Sequence, residues 1–190
     1  DVEKNEQVVP LFYFHRRLAR DTGGAGKYRG GMSAEVALTL GGIAQANALV
    51  MTHGVEVPNG HGLAGGYPGA TIRQTWGKGA AENGRLREGE WQVFPPKPGL
   101  MLMTDRDVFA VSWQGGGGYG DPLERDPQAV AEDVASGAVS CEAAEAIYGV
   151  VCNGGLDRAA TDARRKALRL DRVGGAFVSD PERMLQGAPT

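Results

Sequence analysis

Glycine fills 30 of the 190 positions, and it is gathered into a few short segments rather than spread along the chain. The usual share is about 7%, so roughly twice the ordinary number of positions carry no side chain. Within regular structure a glycine costs roughly 0.5–1 kcal/mol relative to alanine, so clusters persist where backbone must turn sharply or approach another surface closely. Three segments stand out: Asp21 to Gly31, Gly62 to Gly69, and Gly115 to Pro122. The second and third each place one tyrosine, Tyr67 or Tyr119, among glycines. Two readings stand side by side: packing of these loops against their own chain, or contact with another subunit or the edge of a substrate pocket.

The run Gly23-Gly24-Ala25-Gly26-Lys27 invites comparison with a phosphate-binding loop, and the comparison fails twice. Asp21 stands where the first glycine belongs, and Lys27 is followed by Tyr28 rather than a magnesium-binding hydroxyl residue. The segment also leads into strand-like alternation, whereas phosphate loops need a helix whose N-terminus faces the anion. A tight turn with Lys27 and Arg29 solvated or paired with carboxylates is the reading favoured here. His53, Glu56 and His61 are weak candidates for a metal, because the chain between them is marked as loop by Gly54, Pro58 and Gly60 and no regular element makes them converge. His15, next to Arg16 in an apolar stretch, reads as a core-edge residue. Cys141 and Cys152 form no CxxC pair and read as reduced, packed thiols.

Along the chain, Val8 to Leu18 has the β-branched and aromatic character of a strand buried on both faces. Val36, Leu38 and Leu40 alternate with Glu35, Ala37 and Thr39, the pattern of a half-buried strand. Ala44 to Thr52 fits a short helix or a strand equally. Thr71 to Trp76, Trp91 to Phe94 and Val108 to Trp113 read as further strands, separated by glycine-proline loops at 53–69 and 77–89. After Asp126-Pro127 the pattern turns helical: one helix stops at Gly137, a second starts behind Ser140 and ends before Gly149, and a third runs from about Arg158 to Leu170. The expected fold class is α+β. A β-rich, glycine-looped portion (1–123) precedes a helical segment (124–170) and an extended or disordered tail (171–190).

A chain of this size can bury about 70% of its unfolded surface and suits a single domain. Its net charge of −3 gives no basic footprint, which argues against nucleic acid as partner. No apolar run approaches the roughly 20 residues that cross a bilayer, and residues Asp1 to Glu6 lack the pattern of a secretory signal. A cytoplasmic location is the expectation.

Taken together, the glycine segments resemble those of the hydantoinase B / 5-oxoprolinase family. Asp21 to Gly31 is similar to that family's D-S-G-G-A-G-K-Y-R-G-G segment, with Thr22 in the place of serine. Gly62 to Gly69 resembles its G-x-x-G-G-x-P-G loop, and Gly115 to Pro127 its G-G-G-G-Y-G-D-P-x-x-R-D-P segment, with Gln114 where proline is common. Val134 to Val150 looks like its closing helices.

The resemblance implies the C-terminal part, or a small subunit, of an ATP-dependent cyclic-amide hydrolase working in a hetero-oligomer. Its alternatives are a subunit of an acetone- or acetophenone-type carboxylase and a non-catalytic assembly module. It implies as partners the N-terminal portion of the B-type subunit and a hydantoinase A type ATPase. ATP and a divalent metal would belong to that complex rather than to this chain, and no catalytic residue carries over. Lys27, Tyr28, Arg29, Tyr67, Gly117, Gly118, Tyr119 and Asp121 remain as candidates for a substrate pocket or a subunit interface.

Overall fold

The computed structural model describes residues 1–176. In chain order the elements are α1 (Val2–Val8), β1 (Leu11–Leu18), β2 (Ala34–Leu40), β3 (Gln45–Val50), β4 (Arg73–Lys78), β5 (Ala81–Glu82), β6 (Arg85–Leu86), β7 (Glu90–Val93), β8 (Gly99–Thr104) and β9 (Val108–Ser112). A 3-10 turn (Pro122–Glu124), α2 (Pro127–Ala135), α3 (Cys141–Ala146), β10 (Val151–Cys152), β11 (Leu156–Asp157) and α4 (Arg158–Ala176) follow. The α+β class expected from the sequence is what forms.

Five strands make one antiparallel sheet in the order β1-β2-β9-β4-β7. β2 lies inside it, and both of its faces are covered: Val36 and Leu40 on one side, Ala37 and Thr39 on the other. The strand expected to be half-buried thus has buried residues on both faces, although Ala34, Glu35 and Leu38 keep partial exposure. The reverse holds for β1, expected to be buried on both faces. It is an edge strand, and Phe12 remains exposed. A register shift between Tyr13 and His15 re-aims its second half.

The ambiguous segment resolves as β3, which pairs antiparallel with β8, a strand that the sequence reading passed over. Their inner residues Ala46, Ala48, Met101 and Met103 pack on Leu38, Leu40, Trp76 and Phe109 of the sheet, a two-layer core. Gln74 is fully buried there, and its amide is satisfied by the Pro95 carbonyl and the Thr52 hydroxyl. The short pair β5–β6 interrupts what read as one loop from 77 to 89.

The helices form where their caps predict. The Asp126 carboxylate accepts from the Gln128 amide at 3.1 Å with Pro127 in the first turn, and the Ser140 hydroxyl accepts from the Ala143 amide at 3.1 Å. Val130, Val139, Ala144, Tyr148 and Val150 build a second core, with Ala25 of the first glycine segment inserted into it.

Three expectations need correction. α4 runs to Ala176 instead of stopping at Leu170, so residues 171–176 of the expected tail are helical and the rest lies outside the described residues. Val2–Val8 is helical, with no buried residue; Glu6 accepts from the Tyr13 amide at 2.8 Å. Cys152 packs against the helical core, but Cys141 is exposed; both are free thiols. Among the described residues no helix is long and apolar enough to cross a membrane.

Candidate functional site: the glycine junction and its aromatic face

The three glycine segments, far apart in sequence, lie against one another. Tyr28 and Tyr119 exchange both backbone hydrogen bonds at 2.9 Å, the Leu63 amide donates to Gly118, and Gly120 donates back to Leu63. Tyr67 donates to Ala25 at 2.7 Å, Gly24 to Gly116 at 2.8 Å, and Gly116 to Gly31 at 2.9 Å. The approach is so close that a methyl group at Gly115 would overlap the Thr22 carbonyl oxygen. One at Gly117 would overlap the His61 carbonyl, and one at Gly118 the Ala25 carbonyl. The glycines are therefore needed here for backbone to lie on backbone of the same chain. Asp21 begins the first segment at φ 60, a left-handed conformation that aspartate tolerates better than most residues. It is held by its amide donating to Ala138 and its carboxylate accepting from Ser140.

This geometry also answers the phosphate-loop comparison. The Gly24, Lys27, Tyr28 and Gly30 amides all donate to carbonyls of the chain itself, so they present no cradle to an anion. His53, Glu56 and His61 do not assemble into a metal-ligating group, and among the described residues no three His, Cys, Asp or Glu side chains do.

The candidate residues divide by what they touch. Tyr28, Tyr119 and Leu63 stand in register on neighbouring strands of the junction and remain 64%, 54% and 66% exposed, with the two rings 6.3 Å apart. Tyr67 is exposed as well. Lys27 reaches Glu124 at 3.6 Å in an open pair that contributes little to stability. Arg29 turns inward: it and Arg125 both grip Asp133 of α2, at 3.2 and 2.8 Å, and Arg125 also donates to the Lys27 carbonyl. Asp121 caps the 3-10 turn by accepting from Leu123 at 2.9 Å and pairs with Arg172 of α4 at 2.7 Å. Burial alone would raise the Asp121 carboxyl, but the Leu123 amide and the Arg172 guanidinium outweigh it and hold the group below the usual carboxylate range.

The partners that lock the junction to the helices were not foreseen. Asp133 is one. Arg165 is another: it is buried on α4 and donates to the Tyr148 carbonyl at 3.0 Å and the Arg125 carbonyl at 2.6 Å. Its burial follows from the tertiary position of α4, which no local pattern gives.

With the junction formed by all three glycine segments, the sequence can be placed among known proteins. The family model of hydantoinase B/oxoprolinase matches residues 1–122. The chain belongs to the hydantoinase B/oxoprolinase family. It is 31% identical to the acetone carboxylase alpha subunit of Xanthobacter autotrophicus over 91% of its length, and 35% identical to the caprolactamase subunit beta of Pseudomonas jessenii over 88%. It spans only 26% and 28% of those proteins. Among solved structures it is similar to nucleotide-free acetone carboxylase (TM-score 0.83, 28% identity, 98% of this chain and 28% of that one). It is also similar to the ATP-dependent caprolactamase of P. jessenii (TM-score 0.71, 30% identity, 87% of this chain and 28% of that one). These alignments extend beyond the family model into the helical segment.

Proposed function

We propose that this chain forms part of a B-type subunit in a cytoplasmic, ATP-dependent hetero-oligomer that opens a cyclic amide. The supporting observation is the 35% identity to a caprolactamase subunit, which spans both the glycine junction and the helices. A ketone carboxylase is the second reading, and it is favoured by the fuller structural match to acetone carboxylase, 98% of the chain against 87%.

In either case this chain is a scaffold beside the chemistry. Its glycine amides are spent on its own backbone, and His53, Glu56 and His61 stay apart, so ATP and a divalent metal are assigned to other parts of the assembly. Those parts are the remaining portion of a B-type subunit and a hydantoinase A type ATPase. The outer face of β3–β8 offers the former a surface: Leu49, Leu100 and Leu102 stand exposed there, with Leu49 directly opposite Leu100. Apolar side chains collected on one sheet face suit cover by polypeptide.

The two readings separate in the assembled complex. Ring opening needs ATP and a lactam alone, so phosphate release and an amino acid product should appear without bicarbonate. A carboxylase instead fixes labelled bicarbonate onto a ketone. Turnover by the 190-residue chain on its own would overturn both readings.

A further inference from the structure

The outer face of the five-stranded sheet carries a charged row that no part of the reading above uses. Pairing registers place Arg17 of β1, Glu35 of β2, Ser112 of β9 and Arg73 of β4 side by side across four strands. Side chains directly opposite in register project to the same face, so all four share it. Above the row lies an open cleft of about 740 Å³, to which Arg20 also contributes; its Nε is tethered to the Gly137 carbonyl at 3.3 Å. Glu35 is the one carboxylate lining this cleft, and its Oε1 already takes the Arg17 Nε at 2.5 Å and faces the His15 Nε2 at 3.4 Å. Three guanidinium groups against one carboxylate leave a local charge of +2 on a chain whose total is −3. Glu35 takes Arg17 and His15 rather than Arg73, and Ser112 stands directly opposite Arg73 in the register.

The same row borders a second, apolar space. A cleft of about 310 Å³ shares Glu35, Arg73 and Ser112 with the first and continues over Ala37 and Ala110, one pleat further along, with Leu86 and Trp91 at its rim. Successive residues on one face of a strand are about 6.6 Å apart, so the cationic and apolar ends are separated by a few carbon atoms. Leu86 and Trp91 are 44% and 45% exposed, and Trp91 pairs in register with Gly77. Cationic groups at one end and apolar walls at the other describe an amphiphilic anion, and arginine's planar fork suits a carboxylate.

We propose that this cleft binds a short-chain organic acid, its carboxylate on Arg73 with Arg20 and Ser112 nearby, and its hydrocarbon body over Ala37 and Ala110 beneath Trp91. The inference rests on the sheet alone and holds whether the assembly hydrolyses or carboxylates. It is tested by titrating the 190-residue chain with hexanoate, acetate and inorganic phosphate, followed by calorimetry and tryptophan fluorescence. Hexanoate should bind saturably and more tightly than acetate or phosphate. Arg73→Gln should weaken it tenfold or more, and Arg73→Lys should fall between, since charge is kept and the fork lost. Arg106→Gln, outside the cleft, should leave binding unchanged, and a thermal melt of each variant separates a lost site from a lost fold. Trp91→Ala should cost hexanoate affinity while sparing acetate. Phosphate binding as tight as hexanoate would overturn the organic acid in favour of an inorganic oxyanion. Hexanoate binding that is absent, or indifferent to both Arg73 variants, would overturn the site itself.

Discussion

The glycine junction and the β3–β8 face make opposite use of their surfaces. At the junction, residues without side chains let three distant loops share backbone hydrogen bonds, and the contact they allow is with each other. On β3–β8, ordinary aliphatic side chains point outward and stay largely uncovered: Leu100 is 68% exposed and Leu49 64%. Glycine density reads as an advertisement for a partner, but here it marks a place already filled. The surface proposed for another polypeptide is where large apolar side chains lack cover, and a strand so commonplace in sequence gives no sign of it. The junction's own contribution to contact comes from Tyr28, Tyr119 and Leu63, the residues among the glycines that keep side chains.

The largest effect that can test this contrast lies at Gly115. A β-carbon there meets the Thr22 carbonyl, a backbone atom that no rotamer change can move aside. Gly115→Ala should therefore cost at least about 3 kcal/mol, at the upper end of overpacking penalties, visible as a lowered urea midpoint or loss of soluble protein. Gly31→Ala, at the end of the first glycine segment, meets nothing within 4 Å and should stay within about 0.5 kcal/mol of the parent. Equal effects at the two positions would mean that the close approach is not what these glycines provide.

A smaller effect on stability, and a larger one on association, is expected on the other face. Leu49→Ser with Leu100→Ser removes exposed apolar atoms only, so unfolding should shift by about 0.5 kcal/mol or less per site. Recovery of the chain with the larger partners on co-purification should fall. Wild-type recovery would assign the partner surface elsewhere, with the tyrosine row as the next place to look.

Much of this architecture was legible beforehand, for physical reasons that can be named. Capping residues act within one turn, so Asp126 and Ser140 marked α2 and α3 correctly. The family's glycine segments are contiguous words in the sequence and were found as such. What stayed hidden depends on pairing at long range. Whether β2 is buried on both faces follows from which strands flank it. That Arg165 is buried, or that Arg29 and Arg125 share Asp133, follows from where α4 and α2 dock. The row from Arg17 to Arg73 spans four strands gathered from about half of the chain, and no local pattern announces it. The candidate residues lie together at the junction, but Arg29 and Asp121 are fastened to the helices, while Tyr28, Tyr67 and Tyr119 keep open faces.

The smallest effect concerns the seam where the junction meets α4. Asp121 is held below the ordinary carboxylate range because the Leu123 amide and Arg172 stabilise its charge more than burial opposes it. A depressed folded value contributes stability above the unfolded value of about 4 and loses it as pH falls through the folded one. The Arg172 pair is substantially open to water, so screening limits it to about 0.5 kcal/mol. Asp121→Asn keeps an oxygen for the Leu123 amide and removes only the charge. Its stability deficit should therefore be present at pH 7, close as the pH drops below about 4, and shrink in high salt because the pair is exposed. A deficit that persists unchanged at pH 2 would locate Asp121's contribution in the turn rather than in the bond to α4, and the helix would then be held to the junction by Arg165 and Arg169 through carbonyl oxygens alone.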